Sequence, residues 1–234
     1  MTDFSAYKSF LFIGKKKFIL SIFQSDNKKR IYEEEIIIKD DSNKVEFEKL
    51  DFFLENNIYK VEKIIGNFIK DIIIIYESDD LFQVDVSIKN NNSGDLLNYS
   101  SLSRPLIEVR EVCLKTLENY KIIHMIIENY KINDKSYPFL PKNLRCENFF
   151  LDIKFICISE NMIKNLESRM KKFQISIDKI ISANYLKSFF NEKEKDLGIW
   201  AMNIDNGHNK NEVQFHKKMF EKQGFFEKFF NFFS

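Results

Sequence analysis

Residues 70–81 read Lys70-Asp71-Ile72-Ile73-Ile74-Ile75-Tyr76-Glu77-Ser78-Asp79-Asp80-Leu81, and the reading of this stretch decides the fold. Four consecutive isoleucines and a tyrosine leave no polar face, so the segment predicts a short strand buried on both sides, the kind found inside α/β sheets. It is strand-sized and far below the ~20 apolar residues that cross a membrane as a helix. Asp79-Asp80 closes the run with turn residues, and the texture of the chain changes beyond them.

Upstream, residues 9–20, 18–23 and 31–38 read as β segments, broken by the polar turn Ser25-Asp26-Asn27-Lys28. Phe47, Leu50, Phe53 and Leu54, then Ile58, Val61, Ile64 and Ile65, recur at helical spacing. Downstream, Leu81, Val84, Val86 and Ile88 alternate as a strand, and the loop Asn90-Asn91-Asn92-Ser93-Gly94 follows. A helix is expected from about Pro105, a residue suited to a first turn, with Leu106, Val109, Val112, Cys113 and Thr116 along one side. Residues 120–132 and 149–158 read as strands separated by a loop carrying Pro138 and Pro141. Residues 77–155 are therefore a strand-helix-strand-strand module inserted between two parts of a core, 1–76 and 156–206. In the second part Ser159 is a helix N-cap, with Glu160 in the first turn and Met162, Ile163, Leu166, Met170 and Phe173 on one face. Residues 175–181 predict a strand, 184–190 a helical segment and 197–204 a final strand. The expected class is mixed α/β.

Composition narrows function. The chain has 234 residues, with 25 Phe against 6 Gly and 3 Pro, and no glycine-rich phosphate loop of the Gly-x-x-x-x-Gly-Lys type. A balance of 36 basic to 35 acidic residues gives no overall drive toward nucleic acid. Cys113, Cys146 and Cys157 are odd in number and widely spaced, which suits a reduced thiol set better than a disulfide framework or zinc site. The apolar stretch 10–13 stops at Lys15-Lys16-Lys17, too short for a secretory signal. His208 and His216, near Asp205 and Glu212, stand about two helical turns apart, too far for one ion, so no metal is expected. His124 lies in an apolar run and reads as a satisfied structural histidine. No nucleophile elbow or Cys-His pairing stands out, and no catalytic residue is assigned.

The stretch Gly224-Phe225-Phe226-Glu227-Lys228-Phe229-Phe230-Asn231-Phe232-Phe233-Ser234 is a different signal. On a helical wheel Phe225, Phe226, Phe229, Phe230, Phe232 and Phe233 fall within an arc of about 160°, opposite Glu227, Lys228, Asn231 and Ser234. Lys217, Lys218 and Lys222 add positive charge beside it. At about 1 kcal/mol per partly buried ring, six rings give a gross term of about 6 kcal/mol, enough for reversible binding to a membrane surface. Residues 207–234 are thus a linker and a C-terminal amphipathic membrane-targeting helix.

The order of these pieces resembles the FtsA family of bacterial cell-division proteins, actin-like membrane tethers of the division ring. The segment Ile123-His124-Met125-Ile126-Ile127-Glu128-Asn129-Tyr130-Lys131-Ile132-Asn133-Asp134 is similar to that family's His-Val-Ile-Pro-x-x-Tyr-x-(Leu/Ile)-Asp run. Residues 144–157 parallel the strand after its Gly-Val-Arg turn, and 159–166 with 173–181 match the helix and strand that return to the core. The resemblance covers about residues 9–206. It implies half of an actin/RNase H-like fold with an inserted SHS2-like module, on a peripheral protein of the cytoplasmic face of the inner membrane at the division site. Its partners would be that leaflet and other septum proteins of the divisome, with self-association allowed and no nucleic acid.

The family's phosphate loops are altered here. Phe12-Ile13-Gly14-Lys15-Lys16-Lys17 stands for Asp-Ile-Gly-Thr-x-Lys, keeping Gly14 and Lys17. Asn203-Ile204-Asp205-Asn206-Gly207-His208 stands for Asp-Ile-Gly-Gly-Gly-Thr, keeping Gly207 of the three glycines. A phosphate needs close backbone approach and tolerates no added carboxylate, so no cofactor and no ATPase activity are expected, with ATP and Mg²⁺ bound only if these loops still work. From Lys210 the chain passes to the Phe-rich segment where the family continues into a second actin-like half, which carries the main docking site for the ring protein FtsZ. The resemblance keeps FtsZ among the candidate division-protein partners, although the half that carries its usual docking surface is missing. The alternative is a nucleotide-dependent actin-like division or pilus-assembly protein completed by a partner chain.

Overall fold

A computed structural model of the chain describes residues 6–39, 44–190 and 196–214. β1 (Tyr7–Ile13) and β2 (Lys17–Gln24) form an antiparallel hairpin, and β3 (Arg30–Ile37) pairs antiparallel with β2. α1 (Phe47–Ile65) crosses over to β4 (Asp71–Tyr76), which runs parallel to β1 in the register Phe10↔Ile73 to Ile13↔Tyr76. β4 is an interior strand, paired on both sides by β1 and β9, and its sequence follows from that position. Ile72, Ile74 and Tyr76 face one buried cluster with Leu50, Leu54 and Val61 of α1, whereas Ile73 and Ile75 face a second with Phe10, Phe12 and Trp200.

Between β4 and β9 (Ser176–Ser182) the chain builds a second sheet. β5 (Phe82–Asn91) is followed by α2 (Tyr99–Thr116), β6 (Tyr120–Ile132), β7 (Lys135–Tyr137) and β8 (Asn148–Ser159), in the sheet order β5-β8-β6-β7. Leu102, Leu106, Val109 and Cys113 of α2 share a core with Phe149, Leu151, Ile153 and Phe155 of β8. α3 (Glu160–Lys171), capped by Ser159 accepting from the Met162 N–H, returns the chain to β9, which lies parallel to β4. α4 (Ala183–Phe189) and α5 (Leu197–Asp205) follow. The five-stranded sheet has the order β3-β2-β1-β4-β9. An antiparallel meander, a crossover helix and two strands parallel to the first, in that order, make one half of an actin/RNase H-like fold. The strand-helix-strand-strand unit is inserted after its fourth strand.

Three local expectations change. Residues 9–20 are two strands, because Gly14-Lys15-Lys16 turns the chain and the Gly14 N–H donates to the Lys17 carbonyl at 3.0 Å. α2 starts at Tyr99, with the Asn98 side chain accepting from the Ser100 and Ser101 N–H groups, so Pro105 lies inside the helix and not in its first turn. Residues 197–204 form α5 and not a strand. Asp196 caps it by accepting from the Gly198 and Ile199 N–H groups at 3.0 and 3.2 Å, and Gly198 rests directly on the Phe23 ring. Its run of apolar residues has buried positions on nearly every side, so periodicity could not separate helix from strand.

Candidate functional site

The β1–β2 hairpin is where the sequence places a first phosphate loop. A Cβ on Gly14 would lie 2.7 Å from Phe12 Cε1 and 2.9 Å from Glu77 Oε2, so a ring and a carboxylate already close over this backbone. Two of the three lysines at the turn of the hairpin are engaged. Lys15 pairs with Asp79, Lys17 with Glu35 at 3.2 Å, and Glu77 with Lys187. A phosphate here would meet a carboxylate at Gly14 and would have to displace two others from their lysines, so these residues do not fit a nucleotide.

The second segment is elsewhere. Gly207, in the left-handed region at φ 76°, ends α5 with its N–H on the Ile204 carbonyl at 2.9 Å. Asp205 accepts from Lys8 Nζ at 2.7 Å and Lys179 Nζ at 2.6 Å. Burial pushes the Asp205 carboxyl up, but the hydrogen bonds from Lys179 and Lys8 outweigh it and hold it below the ordinary carboxylate value. Lys8 is near the start of β1 and Gly14 just past its end, separated by about 20 Å of extended backbone. Gly14 and Lys17 are therefore not brought together with Gly207. The expected strand-then-loop around residue 204 is instead the end of a helix.

What the structure does assemble is a groove of ≈ 650 Å³ between the core and the inserted sheet. Leu81, Ile126 and Ile156 make its apolar lining, Phe139 and Phe189 stand exposed beside it, and Tyr185 and Asn209 line it from the core side. Behind Tyr185 lies a buried polar network. The Ser182 N–H donates to His124 Nε2 at 3.0 Å, so the ring proton sits on Nδ1 and is donated to Glu212 Oε1 at 2.7 Å. The Tyr185 hydroxyl donates to Glu212 Oε2 at 3.0 Å and accepts from Asn209 Nδ2 at 2.7 Å. Burial, and then the Glu212 charge, push the Tyr185 phenol up, which keeps it a hydrogen-bond donor. Backbone bonds complete the clamp, from Ile127 N–H to the Asn211 carbonyl at 2.9 Å and from Val213 N–H to the Met125 carbonyl at 2.8 Å.

Both His124 nitrogens are engaged in this network. Three parts of the chain meet in it, β6 of the inserted sheet, the β9–α4 junction and residues 209–213. His124 is the satisfied histidine its apolar surroundings predict, whereas Glu212, Tyr185 and Asn209 carry no sequence signal for their roles. Their partners are 24 to 88 positions away. Among the described residues no group of three His, Cys, Asp or Glu side chains could hold a metal ion, and Cys113, Cys146 and Cys157 are buried and unpaired. Lys217, Lys218, Lys222, Phe225, Phe226, Phe229, Phe230, Phe232 and Phe233 lie outside the described residues, as does His216. No helix among the described residues is long and apolar enough to cross a membrane.

No protein-family model matches the chain, and no curated protein matches it in sequence. Solved structures do. The cytoplasmic domain of EpsL, an inner membrane component of the type II secretion system of Vibrio cholerae, is similar over 75% of this chain and 55% of its own, at 9% identity and a TM-score of 0.36. The PilM-PilN type IV pilus biogenesis complex is similar over 79% and 49%, at 5% identity and a TM-score of 0.46. A Bacteroides thetaiotaomicron protein with an actin-like ATPase fold and unknown function is similar over 81% and 58%, at 14% identity and a TM-score of 0.31. The chain spans about half the length of these solved chains. The fold assignment rests on the strand order and directions of the two sheets.

Proposed function

We propose that the chain is an FtsA-like, membrane-tethered adaptor of the bacterial division ring, acting at the cytoplasmic face of the inner membrane without hydrolysing a nucleotide. The observation that carries the reading is the closed Gly14 corner, where Phe12 and Glu77 occupy the approach to the backbone and Asp79 and Glu35 neutralise Lys15 and Lys17. The groove supports an adaptor role. Its apolar lining and exposed Phe139 and Phe189 suit a peptide segment of another division protein better than a polyphosphate. The membrane part rests on the sequence of residues 217–233, with one aromatic face and three lysines beside it.

Calorimetry with ATP and Mg²⁺, on the chain alone and with a candidate partner, tests the first claim; no heat of binding is expected, and measurable binding by the chain alone overturns it. Liposome co-sedimentation of the full chain against one ending at Gln223 tests the tether, and equal binding by both sinks it. A fluorescent fusion is expected at midcell; even distribution along the envelope removes the division role.

A further inference from the structure

β5 is the open edge of the inserted sheet. It pairs with β8 through ten residues, from Phe82↔Cys157 to Asn91↔Asn148, with no bulge and no proline, and no described residue pairs with its other side. Long straight edges of this kind are templates for another strand. The other edges are poorer templates. β9, the far edge of the five-stranded sheet, has a register shift in its pairing with β4 and gives its Ser182 N–H to His124 of β6. β3 carries Glu33-Glu34-Glu35, so an antiparallel copy centred there would set glutamate against glutamate, and its pairing with β2 is interrupted between Ile22 and Phe23. β7 has three residues, and residues 211–213 bond to part of β6.

The side chains of β5 select the occupant. Two copies related by a two-fold axis through the sheet must be centred on a residue, because directly opposed residues share a face. A centre at Val86 sets Asp85 against Ser87, and one at Ile88 sets Asp85 against Asn91. Only a centre at Ser87 sets Asp85 against Lys89, twice, with Val86 against Ile88, twice. Neither charge has an oppositely charged partner among the described residues. Among the described residues Asp85 accepts only long hydrogen bonds from Gln83 at 3.4 Å and forms no ion pair, and Lys89 lies 5.6 Å over the Phe150 ring. Val84, Val86 and Ile88 are only partly buried against the module core, so a second strand would cover more of them.

We propose that β5 pairs antiparallel with β5 of a second copy of this chain about a two-fold axis at Ser87, joining two inserted sheets into one. A single strand pair makes a small interface, so the association is weak and reversible.

The register is tested on the full-length chain with single cysteines under mild oxidation. The native cysteines are buried, so background is low. Ser87→Cys is expected to form a disulfide-linked dimer. Asp85→Cys or Lys89→Cys alone should not, whereas an equal mixture of those two should. Equal cross-linking by every variant, as in non-specific or tail-driven assembly, or none by Ser87→Cys, overturns the proposal. In sedimentation equilibrium Asp85→Lys should weaken association about tenfold, and adding Lys89→Asp should restore it. Unchanged association in Asp85→Lys also overturns it.

Discussion

Asp205 decides how the two parts of the core are held at one end of the sheet. Its carboxylate joins α5 to Lys8 of β1 and Lys179 of β9, and the hydrogen bonds from these lysines more than offset the cost of burying it. Its folded pKa therefore lies below the ordinary 3.8. A depressed carboxyl contributes stability above the unfolded-state value and loses it as the pH falls through the folded value. Asp178 has the opposite sign: burial, then Asp205 and Asp71, push its carboxyl up, so acid favours it in the folded state. The overall acid profile mixes the two, and because Asp205 is one cause of the Asp178 shift, removing its charge also relaxes Asp178. Asp205→Asn is expected to cost about 2 kcal/mol at pH 7 by urea unfolding, with the gap from the unsubstituted chain closing below about pH 4. A gap that stays constant from pH 7 to pH 3 would show that the charge is not what Asp205 contributes.

At the level of elements, β6 and residues 209–213 behave as one unit because Glu212 joins them to the core. With its side chain 8% exposed, Glu212 accepts from His124 Nδ1 and the Tyr185 hydroxyl, and its neighbours bond to the Ile127 N–H and the Met125 carbonyl. Glu212→Ala leaves two buried donors without an acceptor, which costs roughly 3 kcal/mol. The urea midpoint should fall accordingly, and the Ile127 and Val213 amides should exchange with solvent faster than those of β4. A loss under about 1 kcal/mol, or unchanged exchange at both amides, rejects this account. Such a joint is invisible in the sequence, since His124 and Glu212 are 88 positions apart and each alone reads as an ordinary residue. Elements whose pattern follows one physical cause were legible. Ile72–Ile75 predicted a strand buried on both faces, and β4 lies inside its sheet between β1 and β9, with both faces covered; Ser159 predicted a cap, and it accepts from Met162. α5 was misread because its burial comes from neighbours on several sides, which removes the polar stripe that marks a helix. The cap that would have corrected it, Asp196, is a single residue.

For the molecule as a whole, the near-equality of 36 basic and 35 acidic residues makes charge a local matter. In the described part most lysines of interest are neutralised: Lys8 and Lys179 by Asp205, Lys15 by Asp79, Lys17 by Glu35 and Lys187 by Glu77. Lys217, Lys218 and Lys222 sit in a sequence whose nearest acidic residue is Glu221, shortly before six phenylalanines. Electrostatic and apolar attraction to a membrane then separate by their salt dependence. Each lysine near an anionic surface contributes about 1 kcal/mol, so three give about 3 kcal/mol, roughly a hundredfold preference for anionic over neutral vesicles at low salt. In 1 M salt the Debye length falls to about 3 Å and that preference should largely vanish, while the binding due to the rings persists. Replacing the three lysines with glutamine should abolish the preference at low salt and leave binding to neutral vesicles unchanged. Vesicle flotation at the two ionic strengths measures both parts. Equal affinity for anionic and neutral vesicles at low salt would remove the lysines from the tether, and complete release in 1 M salt would remove the phenylalanines.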